Sequence, residues 1–208
     1  LKVGTTPKYF SMEDAANDVN QFRLFTGLAV SSVNFSIAPN QMVTSTFEMV
    51  GKGMTQAATT GSTGGAPTAS STNSPFDSYS GTISDGGAGI SIVTSIDFSL
   101  TNSLAPTFVV GADNAQSLEF GRAVVEGTMT VYYEDQTLIN KFLNETESTL
   151  EVSVDDPTGT NSYTFLFPRV KYNGAAVPLS GSTSRLITVP FVALYDTTEA
   201  TNLKLTKA

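Results

Sequence analysis

The side chains that most often carry out chemistry in enzymes are scarce in this sequence, which contains neither histidine nor cysteine. Without histidine, a Ser-His-Asp triad, an HExxH zinc site and an imidazole pH switch are excluded. Without cysteine, disulfides, thiolate nucleophiles and cysteine-based zinc sites are excluded as well. Any enzyme built on this chain would therefore depend on carboxylates, hydroxyls or lysines.

Paired carboxylates are the remaining candidates for acid and base catalysis. The pairs are Glu134 with Asp135, Glu145 with Glu147, and Asp155 with Asp156. A glycosidase holds two carboxylates about 5–9.5 Å apart, but each pair here also fits a turn or a helix end. The residues after Asp155 lack the alternating acidic ligands of a calcium loop. The sequence therefore predicts no enzyme, no metal site and no cofactor.

The charge balance argues against tight binding of nucleic acid. The net charge is −8 at pH 7, and the 11 lysines and arginines are scattered, whereas phosphate binding requires clustered basic residues. Charged residues make up 14% of the chain, against about 25% in ordinary soluble domains. Ser and Thr together supply about a quarter of the residues. This composition predicts a hydroxyl-rich surface on a β structure with many turns.

Apolar and polar residues alternate with period two in several segments, which predicts eight to ten strands. The predicted strands cover residues 28–37, 42–50, 90–100, 122–134, 150–154, 163–167, 170–177 and 186–194. The apolar parity changes between Val30 and Val33, which predicts a bulge or a strand covered on both faces. Residues 81–83 are expected to pair with 90–100 through a turn at Asp85-Gly86-Gly87, and 155–159 to form another hairpin turn.

The apolar spacing becomes helical after Asp135. It predicts one short helix from Gln136 to Asn144, with Asp135 as its N-cap. The predicted fold class is mainly β, an antiparallel β-sandwich or partly closed barrel with one short helix, in a single domain over residues 1–208.

Residues 53–76 are rich in Gly, Ser, Thr and Ala, which predicts a long flexible loop. Loops beyond about 12–15 residues are usually functional or ordered by a partner, although a merely flexible excursion is an equal alternative. Phe76 and Tyr79 follow this stretch and are interpreted as anchors to the core rather than as a platform for a sugar. Arg169 and Lys171 either pair with acids of a neighbouring chain or belong to a solvated face.

The sequence also gives expectations about membrane insertion and about the N-terminal end of the chain. The longest apolar stretch, residues 186–195, is far shorter than the about 20 residues of a membrane helix, so no membrane span is predicted. The first residue is Leu1 rather than Met, and we expect that an N-terminal portion is missing.

Several short segments, taken in their order along nearly the whole chain, resemble the tail tube proteins of long, non-contractile-tailed bacteriophages. The segments are Phe25-Thr26-Gly27, Val50-Gly51-Lys52-Gly53-Met54-Thr55, Ser80-Gly81-Thr82-Ile83, Thr94-Ser95-Ile96-Asp97-Phe98, Phe108-Val109-Val110-Gly111, Gly127-Thr128-Met129-Thr130-Val131-Tyr132-Tyr133-Glu134-Asp135 and Phe167-Pro168-Arg169-Val170-Lys171-Tyr172. The strand, the Tyr-Glu-Asp turn and the helix in the middle are the most specific part.

The resemblance implies a structural virion protein and no enzyme. Its β-sandwich subunits would join their hairpins into a continuous barrel and stack as hexameric rings, forming a tube through which DNA leaves the virion. The implied partners are further copies of the chain together with the tape measure, tail-tip and terminator proteins, while DNA would be in transit and not tightly bound. The implied location is the phage tail, and the bacterial host cytoplasm before assembly.

Two sets of site residues follow from this hypothesis. The strands expected to form the barrel wall are those of residues 28–50, 90–100 and 122–134, with their polar parities facing the channel. An acidic, hydroxyl-rich wall repels phosphates, so the acids Glu48, Asp97 and Glu126 on these polar parities are predicted to line the channel. The long loop would order only against an adjacent subunit or ring. Its predicted contact residues are Thr55, Gly61, Gly64, Gly65, Pro67 and Asn73.

Two other functions remain open. A carbohydrate-binding or adhesin-like β-sandwich, or a virion decoration domain, would explain the Ser and Thr content and the aromatics near the loop, although the absence of tryptophan counts against it. A carboxylate-dependent hydrolase is the third, because two acids distant in sequence can meet in space.

Overall fold

The structure is a computed structural model that describes residues 1–61, 70–79, 81–178 and 184–208. The described residues form fourteen strands and one helix, and the antiparallel sheet is not closed into a barrel. The predicted fold class is confirmed, but the predicted number of strands is too low, because short strands of two to five residues and the seven-residue strand 10–16 show no readable alternation. The strands are β1 Phe10–Ala16, β2 Gln21–Ile37, β3 Thr44–Val50, β4 Gly53–Ala57, β5 Thr82–Asp85, β6 Ala88–Gly89, β7 Val93–Thr101, β8 Ala105–Thr107, β9 Ser117–Glu119, β10 Val124–Tyr132, β11 Ser148–Asp155, β12 Ser162–Tyr172, β13 Leu186–Ala193 and β14 Lys204–Lys207, and the helix is α1 Thr137–Leu143.

Twelve strands form one sheet that folds over itself. Its order is β1-β2-β7-β10-β13-β12-β11-β5-β6, with β3 and β4 on β2 and β14 on β12, while β8 and β9 pair separately. Strand β12 pairs with β13 only through residues 170–172, and its earlier part, 163–166, pairs with β14. The long strand β12 therefore passes from a first layer, β3-β2-β7-β10-β13, into a second layer, β14-β12-β11-β5.

Aromatic rings fill the space between the two layers. Phe98 on β7 lies with its ring centroid 5.0 Å from that of Phe165 and 5.1 Å from that of Phe167, both on β12. Phe35 on β2 also contacts Phe165, at 4.8 Å. Such aromatic pairs contribute about 0.5–1.5 kcal/mol each beyond the burial of their area. They fix which face of the first layer points inward.

Gly127 leaves the room that these rings need. It lies on β10 directly between Phe98 of β7 and Phe191 of β13, and all three share the inward face. A Cβ atom at this position would stand 2.5 Å from Cζ of Phe191 and 2.6 Å from the carbonyl oxygen of Asp97. The second contact is with backbone, so rotation of a side chain cannot relieve it.

The predicted hairpin around Gly86 and Gly87 exists, but the strand that returns from it is not the predicted one. Both glycines have positive φ, +64° and +80°, as a tight turn requires. The turn joins β5 to the two-residue strand β6, whereas β7 pairs with β2 and β10. The predicted pairing of residues 90–100 with 81–83 is confirmed only at Ile90, whose N–H donates a 2.8 Å hydrogen bond to the Ile83 carbonyl oxygen. From Val93 onward the prediction is wrong, because β7 finds two longer partners in the first layer.

Strand β2 has 17 residues, which span about 55 Å at 3.3 Å per residue. The predicted bulge is confirmed, since the register of β2 against β3 shifts between Val30 and Ser32. A second irregularity lies at Gly27, whose φ of +61° favours glycine. Here the ladder with β3 ends and the ladder with β4 begins. We call β1, β4 and residues 21–26 of β2 the arm.

The segment predicted as a loop, residues 53–76, begins with a strand. Strand β4 continues the ladder on β2, with Thr55 opposite Leu24. The prediction missed β4 because its sequence, Gly-Met-Thr-Gln-Ala, has no apolar alternation of its own. Pairing with a neighbour that is already extended is what makes it a strand.

The aromatics after this segment behave differently from each other. The ring of Phe76 packs against Tyr163 with centroids 5.0 Å apart, and its carbonyl oxygen accepts a 2.9 Å hydrogen bond from the Val43 N–H. The anchor predicted at Phe76 is therefore confirmed. Tyr79 is 95% exposed, so the same prediction is wrong for Tyr79.

Helix α1 is one residue shorter at each end than predicted. Its N-cap position is Gln136, which makes no side-chain capping bond, so the prediction of Asp135 as N-cap is wrong by one residue. Asp135 still accepts a 2.8 Å hydrogen bond from the backbone N–H of Thr137. Lys141 stands 2.6 Å from the buried carboxylate of Asp85. Because seven residues are too few for a stable isolated helix, this ion pair and core packing hold it in place.

Replacing Gly127 with alanine is expected to lower the free energy of unfolding by about 1–3 kcal/mol, the usual cost of overpacking a core. Gly89→Ala is the matched control, because a Cβ there meets nothing within 4 Å. Urea unfolding of both variants and the parent chain provides the comparison. Equal stability of Gly127→Ala and the parent would contradict the close packing around Phe191.

Candidate functional site

One face of the first layer is polar over four adjacent strands. Because the apolar residues of β2, β7 and β10 point inward, the residues between them must point outward. Cross-strand pairing places these outward residues in three rows. We call this surface the polar face; it consists of Thr44, Thr46 and Glu48 on β3, Ser32, Asn34 and Ser36 on β2, Asp97, Ser99 and Thr101 on β7, and Glu126 and Thr128 on β10.

The three acids that the sequence singled out all lie on the polar face, each on a different strand. Their side chains are exposed. Asp97 accepts a hydrogen bond from the Ser36 hydroxyl, and Glu48 accepts a 3.0 Å hydrogen bond from the Ser32 hydroxyl. The neighbouring hydroxyls thus orient two of the carboxylates without neutralising them.

A shallow cleft of about 420 Å³ opens on this face. Asn34, Asp97 and Glu126 line it from the first layer, and Asn173 and Pro190 close one side. Glu48 lies outside the cleft. The surface therefore offers hydroxyl, amide and carboxylate groups to water, with aromatic rings only at its floor.

Two basic residues near the polar face, Lys171 and Arg169, are neutralised within the chain. The row that contains Glu126 continues across β13 to Lys171 of β12, whose Nζ lies 2.7 Å from a carboxylate oxygen of Glu145. Arg169 makes two 2.7 Å hydrogen bonds to Glu147. These hydrogen bonds lower the pKa of both glutamates and raise that of the arginine. Of the two alternatives for Arg169 and Lys171, pairing with a neighbouring chain is thus replaced by pairing inside this one, and both side chains remain partly exposed, as a solvated face implies.

The acids of the polar face, in contrast, keep their charge uncompensated. Within the described ranges no lysine or arginine forms an ion pair with Glu48, Asp97 or Glu126. Carboxylates of one sign on a common surface produce a negative potential that repels other anions. The electrostatic character of the polar face is therefore anionic.

Asp156, one of the acids considered for catalysis, has a structural role instead. It is 4% exposed in the turn between β11 and β12. The Asn161 amide donates to it at 2.8 Å, the Thr158 hydroxyl at 2.8 Å, and the Thr158 and Thr160 backbone N–H groups at 3.1 and 2.9 Å. These bonds, led by that of Asn161, hold the pKa of Asp156 at about 2, although burial opposes them. The predicted hairpin turn is confirmed.

The residues predicted for contacts through the long loop are only partly described. Thr55 lies on β4, and the Gly61 N–H donates a 2.7 Å hydrogen bond to the Glu13 carboxylate. The Asn73 N–H donates to the Ser71 hydroxyl at 3.1 Å. The other three predicted residues, Gly64, Gly65 and Pro67, lie outside the described residues. Within the described part, no group of three or more acids is placed to hold a metal ion.

Comparison with known proteins gives a family for this chain. Residues 3–193 of the 208 match the family model described as phage tail tube protein. The chain therefore belongs to the phage tail tube protein family, and the resemblance seen in the sequence is confirmed. A search of curated proteins finds no match. Membership makes the chain a structural protein of the phage tail. Among the described residues, no helix has the length and apolarity needed to cross a membrane.

The contribution of Asp156 to the free energy of unfolding should decrease as the pH is lowered. Its pKa is lower in the folded chain than the about 3.9 of an unfolded Asp, so its charge stabilises the fold above pH 4, and this stabilisation disappears as the pH falls toward 2. Asp156→Asn has no such titration. The difference in urea midpoint between the parent and Asp156→Asn is therefore expected to be constant above pH 4 and to shrink at lower pH.

The measurement is a series of urea titrations between pH 6 and pH 2.5. Asp155→Asn removes a charge from the neighbouring position and is the matched control. A difference that stays the same down to pH 2.5 would show that Asp156 does not titrate as its hydrogen bonds require.

Proposed function

We propose that copies of this chain assemble into hexameric rings, that the rings stack into the tail tube, and that the polar face lines the channel through which DNA is delivered. The observation that carries the proposal is the set of three uncompensated acids on one hydroxyl-rich sheet face. Family membership supports the tube itself. The orientation of the polar face is our inference from its charge.

The physical argument for this orientation concerns passage of DNA. DNA carries one negative charge per about 1.7 Å of helix axis, so a wall with exposed lysines or arginines would hold it. A wall with carboxylates and hydroxyls stays hydrated and repels phosphates. Glu48, Asp97 and Glu126 supply the charge, and the serines, threonines and Asn34 supply the hydration.

An unpaired strand edge supports assembly beside this face. Strand β3 pairs with β2 on one side. On the other side, the residues just before β3 contact residues 76–78 through the Met42–Asp77 bridge, the bond from the Val43 N–H to Phe76 and the bond from the Ser78 N–H to Gln41. From Thr44 onward its outer N–H and C=O groups have no strand partner among the described residues. Such an edge is a template for a strand of a neighbouring chain. Pairing there would extend the polar face from one subunit to the next.

In this function the partners are further copies of the chain, and the tape measure, tail-tip and terminator proteins at the ends of the tube. DNA contacts the wall only in transit. The protein would reside in the host cytoplasm before assembly and in the virion afterwards.

Reversing the charge of the wall should slow DNA delivery. Tails assembled from the variant Glu48→Lys, Asp97→Lys and Glu126→Lys combined are expected to eject DNA more slowly than parent tails, with the defect reduced at high salt. The three side chains are exposed, so the subunit should fold as before. Ejection is followed by the fluorescence of a DNA dye after triggering.

The matched control reverses three exposed acids away from the polar face, Asp113, Glu134 and Glu151, and so changes the net charge equally. Its ejection rate should equal that of the parent. If the polar-face variant also ejects DNA at the parent rate, the polar face does not line the channel.

Residues 55–73, which begin on β4 and continue after it, are proposed to contact an adjacent subunit or ring through Thr55, Gly61, Gly64, Gly65, Pro67 and Asn73. Replacing the twelve residues 62–73 with an equally long linker of alternating glycine and charged residues of both signs preserves the span between Gly61 and the Phe76 anchor, so strand β4 and the anchor are kept. The variant should therefore retain the thermal midpoint of the monomer but form no tubes. Negative-stain electron microscopy of concentrated parent and variant protein compares them. Normal tubes from the variant would contradict this role.

One observation favours a second function. Tyr79, almost fully exposed, borders a cleft of about 630 Å³ together with Pro39, Ser91 and Ser95. An exposed ring beside hydroxyl groups is suited to stacking on a sugar. A carbohydrate-binding or decoration role would be supported if the concentrated protein forms no rings or tubes and binds a glycan through Tyr79.

A further inference from the structure

The arm carries an exposed apolar row that nothing in the described chain covers. Met12 on β1, Phe25 on β2 and Met54 on β4 lie opposite one another across the three strands. Met12 is 50% exposed and Met54 48% exposed. We call the face that contains this row the open face of the arm.

The polar residues of the open face satisfy one another. Arg23 forms an ion pair with Asp14 on the adjacent strand. The side-chain amide of Gln56 donates a 3.0 Å hydrogen bond to that of Gln21. The open face therefore has no net charge, although the chain as a whole carries −8.

The chain itself covers the opposite face of the arm. The Thr60 hydroxyl and the Gly61 N–H both donate 2.7 Å hydrogen bonds to the Glu13 carboxylate. A Cβ atom on Gly61 would lie 3.4 Å from the Leu24 side chain, so the backbone passes directly over that residue. Among the described residues, Thr60 and Gly61 after β4 thus lie over this face and not over the open face.

A three-stranded sheet is stabilised by packing one apolar face against another element. In the arm, the row of two methionines and a phenylalanine is the apolar part of a face that has no second layer within the described residues. Methionine side chains adapt to the shape of a partner, which suits them to a binding surface. The open face therefore has the composition of an interface whose other half is missing.

We propose that the open face of the arm docks on a second copy of this chain. The proposal rests on the proposed self-assembly and specifies a surface for it. Two copies with a net charge of −8 repel each other, so a contact between them is favoured where the surface is neutral. The open face meets this condition because its only charges, Asp14 and Arg23, are paired. A nucleic acid is not the partner that fits, since the face offers no unpaired cation.

A thiol placed in the row tests the docking directly. Because the chain contains no cysteine, Met54→Cys introduces a single thiol, and the exposed Leu143 on α1 gives the control Leu143→Cys. Reaction with a maleimide is timed for each variant, first as dilute monomer and then in assembled tubes. The Met54→Cys thiol is expected to react at least tenfold more slowly in tubes than in the monomer, and the control thiol at an unchanged rate.

A charge in the row provides an independent test. The double variant Met12→Glu, Met54→Glu should keep the thermal midpoint of the monomer, because both side chains are exposed there, and should lose assembly. Leu143→Glu should assemble as the parent does. Normal assembly of the double variant would overturn the docking.

The outcomes separate this inference from the function on which it rests. If the parent forms tubes and the Met54→Cys thiol stays as reactive as in the monomer, the docking is wrong and the tube function stands. If the parent forms no assemblies under conditions that include the other tail proteins, the tube function fails and the docking fails with it.

Discussion

The packing of Phe98 against Phe165 and Phe167 decides the orientation of the whole first layer. Side chains alternate along a strand, so an inward Phe98 requires its neighbours Asp97 and Ser99 to point outward. The cross-strand register carries the same alternation to β2 and β10. The polar face is therefore a consequence of the aromatic core, and a shift of one residue in register would exchange the two.

The charges of the chain divide into a paired and an unpaired group. Within the described residues, six lysines and arginines form ion pairs with acids of the same chain. The acids involved are Asp14, Asp85, Glu145, Glu147 and Glu199. Apart from the pair of Lys141 with the buried Asp85, these pairs are partly or fully exposed, and such pairs contribute little to stability. Their main effect is that the negative charge in excess remains on other surfaces, including the polar face.

Strands and irregularities that depend on local sequence pattern could be predicted from the sequence. Strand pairings between distant parts of the chain could not. Alternation located β7 and β10, and the change of parity near Val30 located the bulge. The strand β4 and the partners of β7 could not be predicted, because both depend on neighbours that other parts of the chain supply. The three acids that we propose for the channel wall were selected through parity together with the family resemblance, and the register places all three on the polar face. The row of Met12, Phe25 and Met54 was missed because its members lie on three strands and only the register brings them together.

The long strand β2 gives the subunit a mechanical property. Strands β1 and β4 flank its first half, and β7 and β3 flank its second half, all antiparallel to it. Tension along β2 would load the hydrogen bonds of these ladders in shear, so that many must break together rather than one after another. The arm and the polar face are thus joined by a continuous strand that resists stretching, while Gly27 lets it bend.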